Sequence, residues 1–287
     1  MTHSQPGCIC VNGCFFEPEE AVVSVFDAGF LLGDGLFESL RAVEGVPYLL
    51  DRHLERLFLA AAELEFIDVP PRETLTEQVY RALKRSELMD AYVRITITRG
   101  TGAVGLAPPE SPPTVVIAVL PAPIDRGVDH AIEVTLLHDR RRYRTAAKST
   151  SWQQSVLARR SVDRRGAEEG LYVASSGHVL EGVASNVFIA GGGRLSTPPV
   201  DDCLPGITRA RMLELARGAG LQTSEIPLEV EALMAADIVF VTNAVQGPRR
   251  VRAVDGIDVG KSDGDDLFDR LHHLYGEDRR AMVGAVL

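Results

Sequence analysis

Residues 180–190 read LEGVASNVFIA, and a single charge interrupts an otherwise small and apolar run. That charge is Glu181. Burying an anion is costly unless a cation or hydrogen-bond donors compensate it. Either Glu181 faces solvent, or its partner comes from outside its own segment. The second possibility directs attention to the rest of this half of the chain. Residues 204–209, LPGITR, place a Pro-Gly turn before a helical pattern. Such a helix start leaves backbone N–H groups without partners, and the helix dipole adds positive potential. It is an anion site suited to phosphate, with the Thr208 hydroxyl as a further donor.

The third feature is Lys148, in RTAAKSTSW, the only lysine between Lys84 and Lys261 although arginine is abundant. An amine that loses its proton forms a Schiff base with an aldehyde, which a guanidinium does not do. Taken singly, a surface lysine and a Pro-Gly turn that binds nothing are the ordinary readings. Taken together, a phosphate site, an amine and a carboxylate that pairs with a protonated pyridine nitrogen are the handles that hold pyridoxal 5′-phosphate.

The chain has 287 residues, enough for one large or two medium domains. Hydrophobic residues make up 45% and charged residues 24%, the balance of a soluble globular protein. A net charge of −10 argues against non-specific nucleic-acid binding. No apolar run approaches the ~20 residues of a membrane span. The opening MTHSQPGCIC lacks the charged start and apolar core of a secretion signal, so a cytoplasmic protein is expected. Cys8, Cys10 and Cys14 have a C-x-C-x3-C spacing that matches no common zinc pattern. They read as reduced thiols in a short strand, with no metal expected.

Helical and strand patterns alternate. Residues 51–64 place Leu54, Leu57, Phe58 and Ala61 at helical spacing, with Asp51 as the expected N-cap. Residues 74–85 repeat the pattern, and strands are expected at 92–98 and 114–120. Pro121, Pro123 and Gly127 break the pattern. The expected division is a small α/β domain at 1–120, a linker at 121–130 and a larger domain at 131–287. In that larger part, strands are expected at 132–137, 171–174, 187–190 and 237–242. Helices are expected through WQQSVLARRSVDRR, within 204–218 and near 265–275.

These stretches together resemble the class IV aminotransferases, the pyridoxal-phosphate enzymes of fold type IV. The family includes branched-chain and D-amino acid aminotransferases and aminodeoxychorismate lyase. Matching stretches run in the family's order: GDGLFESLR at 33–41, DRHLERL at 51–57, YVRITITRG at 92–100, Lys148 with VLARR at 156–160, and GAEEGLYV at 166–173. LEGVASNVFIA, TPP at 197–199, LPGITR and DIVFVTNAV at 237–245 complete them. The resemblance implies a mixed α/β, two-domain fold whose larger domain carries a barrel-like sheet.

It also implies roles. Lys148 forms the Schiff base and shuttles the proton between substrate and cofactor. Glu181 pairs with the pyridine nitrogen, which answers the opening question. Arg52, Gly206, Ile207 and Thr208 hold the phosphate. Leu204 packs on the ring, Ser185 and Asn186 lie beside it, and Thr242, Asn243 and Ala244 close over phosphate and substrate. Phe37, Tyr92, Arg94 and Leu106 belong to the substrate pocket. A homodimer with sites near the subunit interface is implied as well.

The choice of reaction is less marked, because one fold hosts both transamination and C–C cleavage. Tyr92 and Arg94 form a Y-x-R pattern similar to branched-chain enzymes. Val104 and Leu106 stand where the best-known D-amino acid enzymes carry arginine and histidine. Gln153 stands where branched-chain enzymes carry a tyrosine, and TNAV at 242–245 is closer to the lyase. The basic run DRRRYR, 139–144, reads as a solvated strand end that could also attract a dicarboxylate. The reading is an aminotransferase acting on an amino acid and a 2-oxo acid, with aminodeoxychorismate lyase as the alternative.

Overall fold

A computed structural model describes residues 6–107, 111–124, 127–138, 147–260 and 265–286. The run 139–144 lies outside the described residues. By contact the chain groups into two compact units. Met1–Pro123, Thr145–Trp152 and Arg279–Leu287 form the first, and Ile124–Arg144 with Gln153–Asp278 form the second.

In the first unit the elements are β1 (Cys8–Val11), β2 (Cys14–Phe16), α1 (Ala28–Leu32), β3 (Gly35–Val43), β4 (Val46–Pro47), α2 (Leu50–Glu63), α3 (Arg72–Ser86), β5 (Asp90–Thr98) and β6 (Thr114–Pro121). Six strands make an antiparallel sheet in the order β2-β1-β6-β5-β3-β4. Strict alternation in YVRITIT puts Val93, Ile95 and Ile97 of β5 in the core. α2 and α3 cover that face with Leu54, Leu57, Ala61, Leu75, Val79 and Leu83, their apolar residues recurring at helical spacing. Asp51 is not the N-cap of α2. The helix starts earlier, after Leu49 in a left-handed conformation, because Leu50 is buried against the core. Asp51 sits in the first turn, where its charge still suits the dipole.

In the second unit the elements are β7 (Ile132–His138), α4 (Gln153–Arg164), β8 (Glu169–Val173), β9 (His178–Gly182), β10 (Asn186–Gly191), β11 (Arg194–Thr197), α5 (Ile207–Gly218), β12 (Gln222–Glu225), β13 (Leu228–Glu229), α6 (Val230–Met234), β14 (Ile238–Asn243), β15 (Gly247–Val254) and β16 (Ile257–Asp258). The final helix, α7 (Asp265–Val286), continues well past the expected end near 275.

The second sheet runs β12-β11-β10-β14-β15-β7-β8-β9-β13, with β16 on β15. β9 and β10 stand near opposite ends of that order, yet only residues 183–185 separate them in sequence. The sheet therefore curls back on itself, and Gly182 N–H donates to Ser185 O at 2.7 Å across the turn. Its core is the β-branched and aliphatic set Ile132, Val134, Val187, Val239, Val241 and Val251. On another layer Phe188 stacks on Phe240 at 4.9 Å, and Phe240 meets Phe268 of α7 at 5.6 Å.

Among the described residues no helix is long and apolar enough to cross a membrane. Nor does any group of three or more His, Cys, Asp or Glu among them suit a metal.

Candidate active site

Lys148 belongs to the first unit because its segment is tied to β3. Phe37 N–H donates to Lys148 O at 2.8 Å and Thr150 N–H to Gly35 O at 2.8 Å. The Thr150 and Ser151 hydroxyls both donate to Gly33 O, at 2.7 and 3.0 Å. Glycine is required at both positions of the Gly-x-Gly. A Cβ on Gly33, whose φ is +68°, would stand 2.8 Å from Ser151 Oγ, and one on Gly35 would stand 2.9 Å from Thr150 Oγ1. The Lys148 Nζ lies 4.5 Å from the centre of the Phe37 ring and 5.5 Å from that of Trp152. Arg94 stands over the same Phe37 ring at 3.7 Å. Tyr92, two residues earlier on β5, shares a 3.0 Å hydrogen bond with Ser39 of β3. Thus Lys148, Phe37 and Arg94 come together, with Tyr92 on the adjoining strand positions. Leu106 is 90% exposed and lines a separate recess of about 430 Å³ with Leu31, Leu32 and Arg99.

Arg52 sits partly exposed in the first turn of α2. One turn later, Arg56 and His53 meet a buried carboxylate that the sequence reading passed over. Arg56 donates to both oxygens of Glu38, Nε to Oε1 at 2.8 Å and Nη2 to Oε2 at 2.7 Å. His53 Nδ1 lies 2.7 Å from Oε2. The signal was present: Glu38 occupies an inward position of β3 between Leu36 and Leu40, and DRHLERL puts His and Arg three apart on one helical face. Burial pushes the Glu38 carboxyl up, but the Arg56 charge and the bonds from His53 and Arg56 outweigh it and hold it down at about 2. Burial foremost, with the Arg56 and Lys148 charges, lowers His53 against the pull of Glu38.

The signs of these shifts set an acid response. Glu38 is depressed below its unfolded value of ~4.3, so it stabilises the fold above that pH and loses this contribution as pH falls towards about 2. His53 is also depressed, so the unfolded chain takes up the proton first and stability declines as pH drops below ~6.5. Arg56→Ala leaves the buried carboxylate without its strongest partner. A loss of about 3–5 kcal/mol is expected, read from the denaturant midpoint at pH 7. A loss under about 1 kcal/mol, the range of an exposed pair, would show this ion pair to be dispensable.

The second unit gathers the remaining candidates. Glu181 on β9 is 5% exposed, and its Oε2 accepts the Leu204 N–H at 3.0 Å. Asn186 opens β10 and donates from Nδ2 to Leu204 O at 2.9 Å, so both sides of the Leu204 backbone are gripped. Ser185 Oγ donates to the buried Glu169 at 3.0 Å. Burial foremost raises Glu169, against the bonds from Gly170 and Ser185. Gly206 is the N-cap of α5, with no side-chain cap bond and no acidic residue in the first turn. Ile207 opens that helix and Thr208 is buried just inside it. Thr242 on β14 pairs with Asn186 in register, and its hydroxyl is buried without a hydrogen-bond partner. Asn243 Oδ1 accepts from Val245 N and Gln246 N, at 3.0 and 2.7 Å, which fixes the turn containing Ala244.

These features fit a phosphorylated pyridine cofactor. An uncapped helix start with no acid in its first turn suits a phosphate. A buried hydroxyl without a partner is costly unless a ligand or water completes it. A buried carboxylate suits a ring cation.

The architecture is that of fold type IV. The solved T.th. branched-chain amino acid aminotransferase, with pyridoxamine 5′-phosphate, matches with a TM-score of 0.88 and 26% identity, covering 95% of this chain and 94% of that one. The family model for class IV amino-transferases matches residues 35–254, and the chain belongs to that family of transaminase enzymes. A Methanocaldococcus jannaschii protein provisionally named a branched-chain-amino-acid aminotransferase is 37% identical over 254 residues, 86% of this chain and 88% of that one. The aminodeoxychorismate lyase of Bacillus subtilis is 31% identical over 281 residues, 96% of each chain.

Proposed function

We propose that this chain transfers an amino group between an amino acid and a 2-oxo acid with pyridoxal 5′-phosphate as its cofactor. The observation that carries this is the second unit's combination of a buried Glu181, an uncapped α5 start and a buried Thr242 hydroxyl without a partner. When bound, the cofactor supplies an aldehyde that takes up the amino group and a pyridinium ring that draws electrons from the substrate.

The chain's own residues do the rest. Glu181 holds the proton on the ring nitrogen. Gly206, Ile207 and Thr208 present donors to the phosphate, Thr242, Asn243 and Ala244 close over it, and Leu204, Ser185 and Asn186 shape the ring's bed. Lys148 Nζ holds the aldehyde end and carries the proton to and from the substrate Cα. Arg52 is the arginine we assign to the phosphate, with Arg56 as the second candidate on α2. Phe37, Tyr92 and Arg94 are assigned to the substrate, with Leu106 lining its own recess apart from them.

The second reading, aminodeoxychorismate lyase, is supported by the Bacillus subtilis relative and by the TNAV turn. The near-ultraviolet and visible spectrum separates the two. A yellow band that L-glutamate, D-alanine or L-leucine converts to the pyridoxamine form supports the transaminase. A band that none of them moves, with 4-aminobenzoate released from aminodeoxychorismate, supports the lyase.

A homodimer is part of the proposal. Val22, Val25, Phe26 and Phe30 are each more than half exposed close together in sequence, an apolar surface that a second copy would cover. A cytoplasmic setting agrees with the free state of Cys8, Cys10, Cys14 and Cys203. We also propose the small and large domain division at 121–130, with the Lys148 segment returning to the first unit.

One substitution tests the phosphate bed directly. A Cβ on Gly206 would stand 2.0 Å from Asn186 Oδ1, which must then release Leu204. Overpacking of this kind costs about 1–3 kcal/mol, so Gly206→Ala should weaken cofactor binding about tenfold or more. Unchanged retention of the cofactor through dialysis would count against this bed.

A further inference from the structure

Trp152 is the chain's single tryptophan, four residues after Lys148 and on the same tethered segment. Its indole meets the Phe37 ring edge-on, at 5.0 Å and 73° between planes. Its centre is 5.5 Å from Lys148 Nζ. The two rings differ in burial. Phe37 is 1% exposed on β3, whereas Trp152 is only partly buried.

We propose that Trp152 is a specificity-determining residue, its indole forming the wall against which the apolar side chain of the amino donor packs. This rests on the transaminase reading. For Lys148 to move a proton at the donor Cα, that carbon must come within ~3 Å of Nζ. The donor's side chain begins one bond further on. A ring centred 5.5 Å from Nζ is then within van der Waals reach of the side chain's first atoms.

The chemistry of the surroundings sets the class of side chain. Phe37 offers ring surface alone and Trp152 a ring with a single N–H donor at its edge, so a polar side chain laid on the ring faces would lose water with little compensation. A cationic side chain would meet Lys148 and Arg94, the two cations already standing on the Phe37 ring. Aliphatic and aromatic side chains are favoured, since an indole offers a large rigid apolar face.

The test uses the holoenzyme and its Trp152→Ala and Trp152→Phe variants. Half-reaction kcat/KM is measured with L-leucine, L-phenylalanine and L-alanine. Trp152→Ala is expected to lose about tenfold or more on leucine and phenylalanine relative to alanine, and Trp152→Phe to recover most of the loss. A loss of equal size on all donors would overturn the wall and leave a merely structural residue. Trp152 emission gives a readout independent of turnover. Titrating 4-methyl-2-oxopentanoate into the wild type should give a saturable change at lower concentration than pyruvate does. Emission indifferent to an oxo acid that the enzyme consumes would overturn the proposal. If no donor reacts but the emission change saturates, the transaminase reading falls and the apolar wall stands.

Discussion

Lys148→Ala abolishes transamination: kcat/KM falls by about 10⁴-fold, while the protein stays folded and binds the cofactor more weakly, without the covalent link. In the proposed function the amine has two tasks, holding the cofactor's aldehyde end and carrying the proton at the substrate Cα, and no other group takes over both. The fold survives because the segment is held through its backbone and through Thr150 and Ser151, none of which depends on the lysine side chain. The measurement is single-turnover conversion of a donor by the reconstituted variant, beside its far-ultraviolet circular dichroism. Turnover within about tenfold of wild type would remove Lys148 from the mechanism. Lys148→Arg should be nearly as inactive, since a guanidinium keeps its charge and does not shuttle the proton.

Glu181→Gln separates the charge of Glu181 from its shape. An amide oxygen still accepts the Leu204 N–H that Glu181 Oε2 accepts at 3.0 Å, so the Leu204 backbone keeps its place. What disappears is the negative charge proposed to pair with the ring nitrogen. The half-reaction is expected to slow by about 10²–10³-fold, with cofactor binding weakened far less. Nitrogen-15 chemical shifts of labelled cofactor should show the ring nitrogen protonated in the wild type and unprotonated in the variant. A rate within a factor of about three of wild type would sink the electron-drawing role of this pair.

Much of the candidate site's local structure was legible because its motifs are contiguous. LPGITR specifies a turn and a helix start within six letters, and the structure puts Gly206 at the N-cap of α5. Glu181 was legible through the conflict between its charge and its neighbours, and it is indeed buried. Strands with clean alternation, such as β5 and β6, were also expected close to where they stand. β3 was quoted only as a motif. Its interior mixes Glu38, Ser39 and Arg41 with apolar residues, so alternation alone does not announce a strand. The polar residues become intelligible only once α2 supplies His53 and Arg56, 15 and 18 residues further along the chain from Glu38. The return of Thr145–Trp152 to the first unit was hidden for a similar reason. It rests on long-range backbone bonds to β3, and backbone bonds leave little trace in side-chain composition.

β3 is also a strand with two separate careers. Phe37, Ser39 and Arg41 face one way, and Ser39 meets Tyr92 on that side. Leu36, Leu40 and Ala42 face the other and belong to the core under α2, with Glu38 among them. Change at Ser39 works on the face proposed to meet the substrate, although Phe37 and Arg41 on that face are buried and carry stability too. Change on the second face works on the core and on the Glu38 ion pair. The pleat thus sorts two kinds of change onto opposite sides of one strand. An inserted residue would undo that sorting at once, because a slip of one position exchanges the two faces.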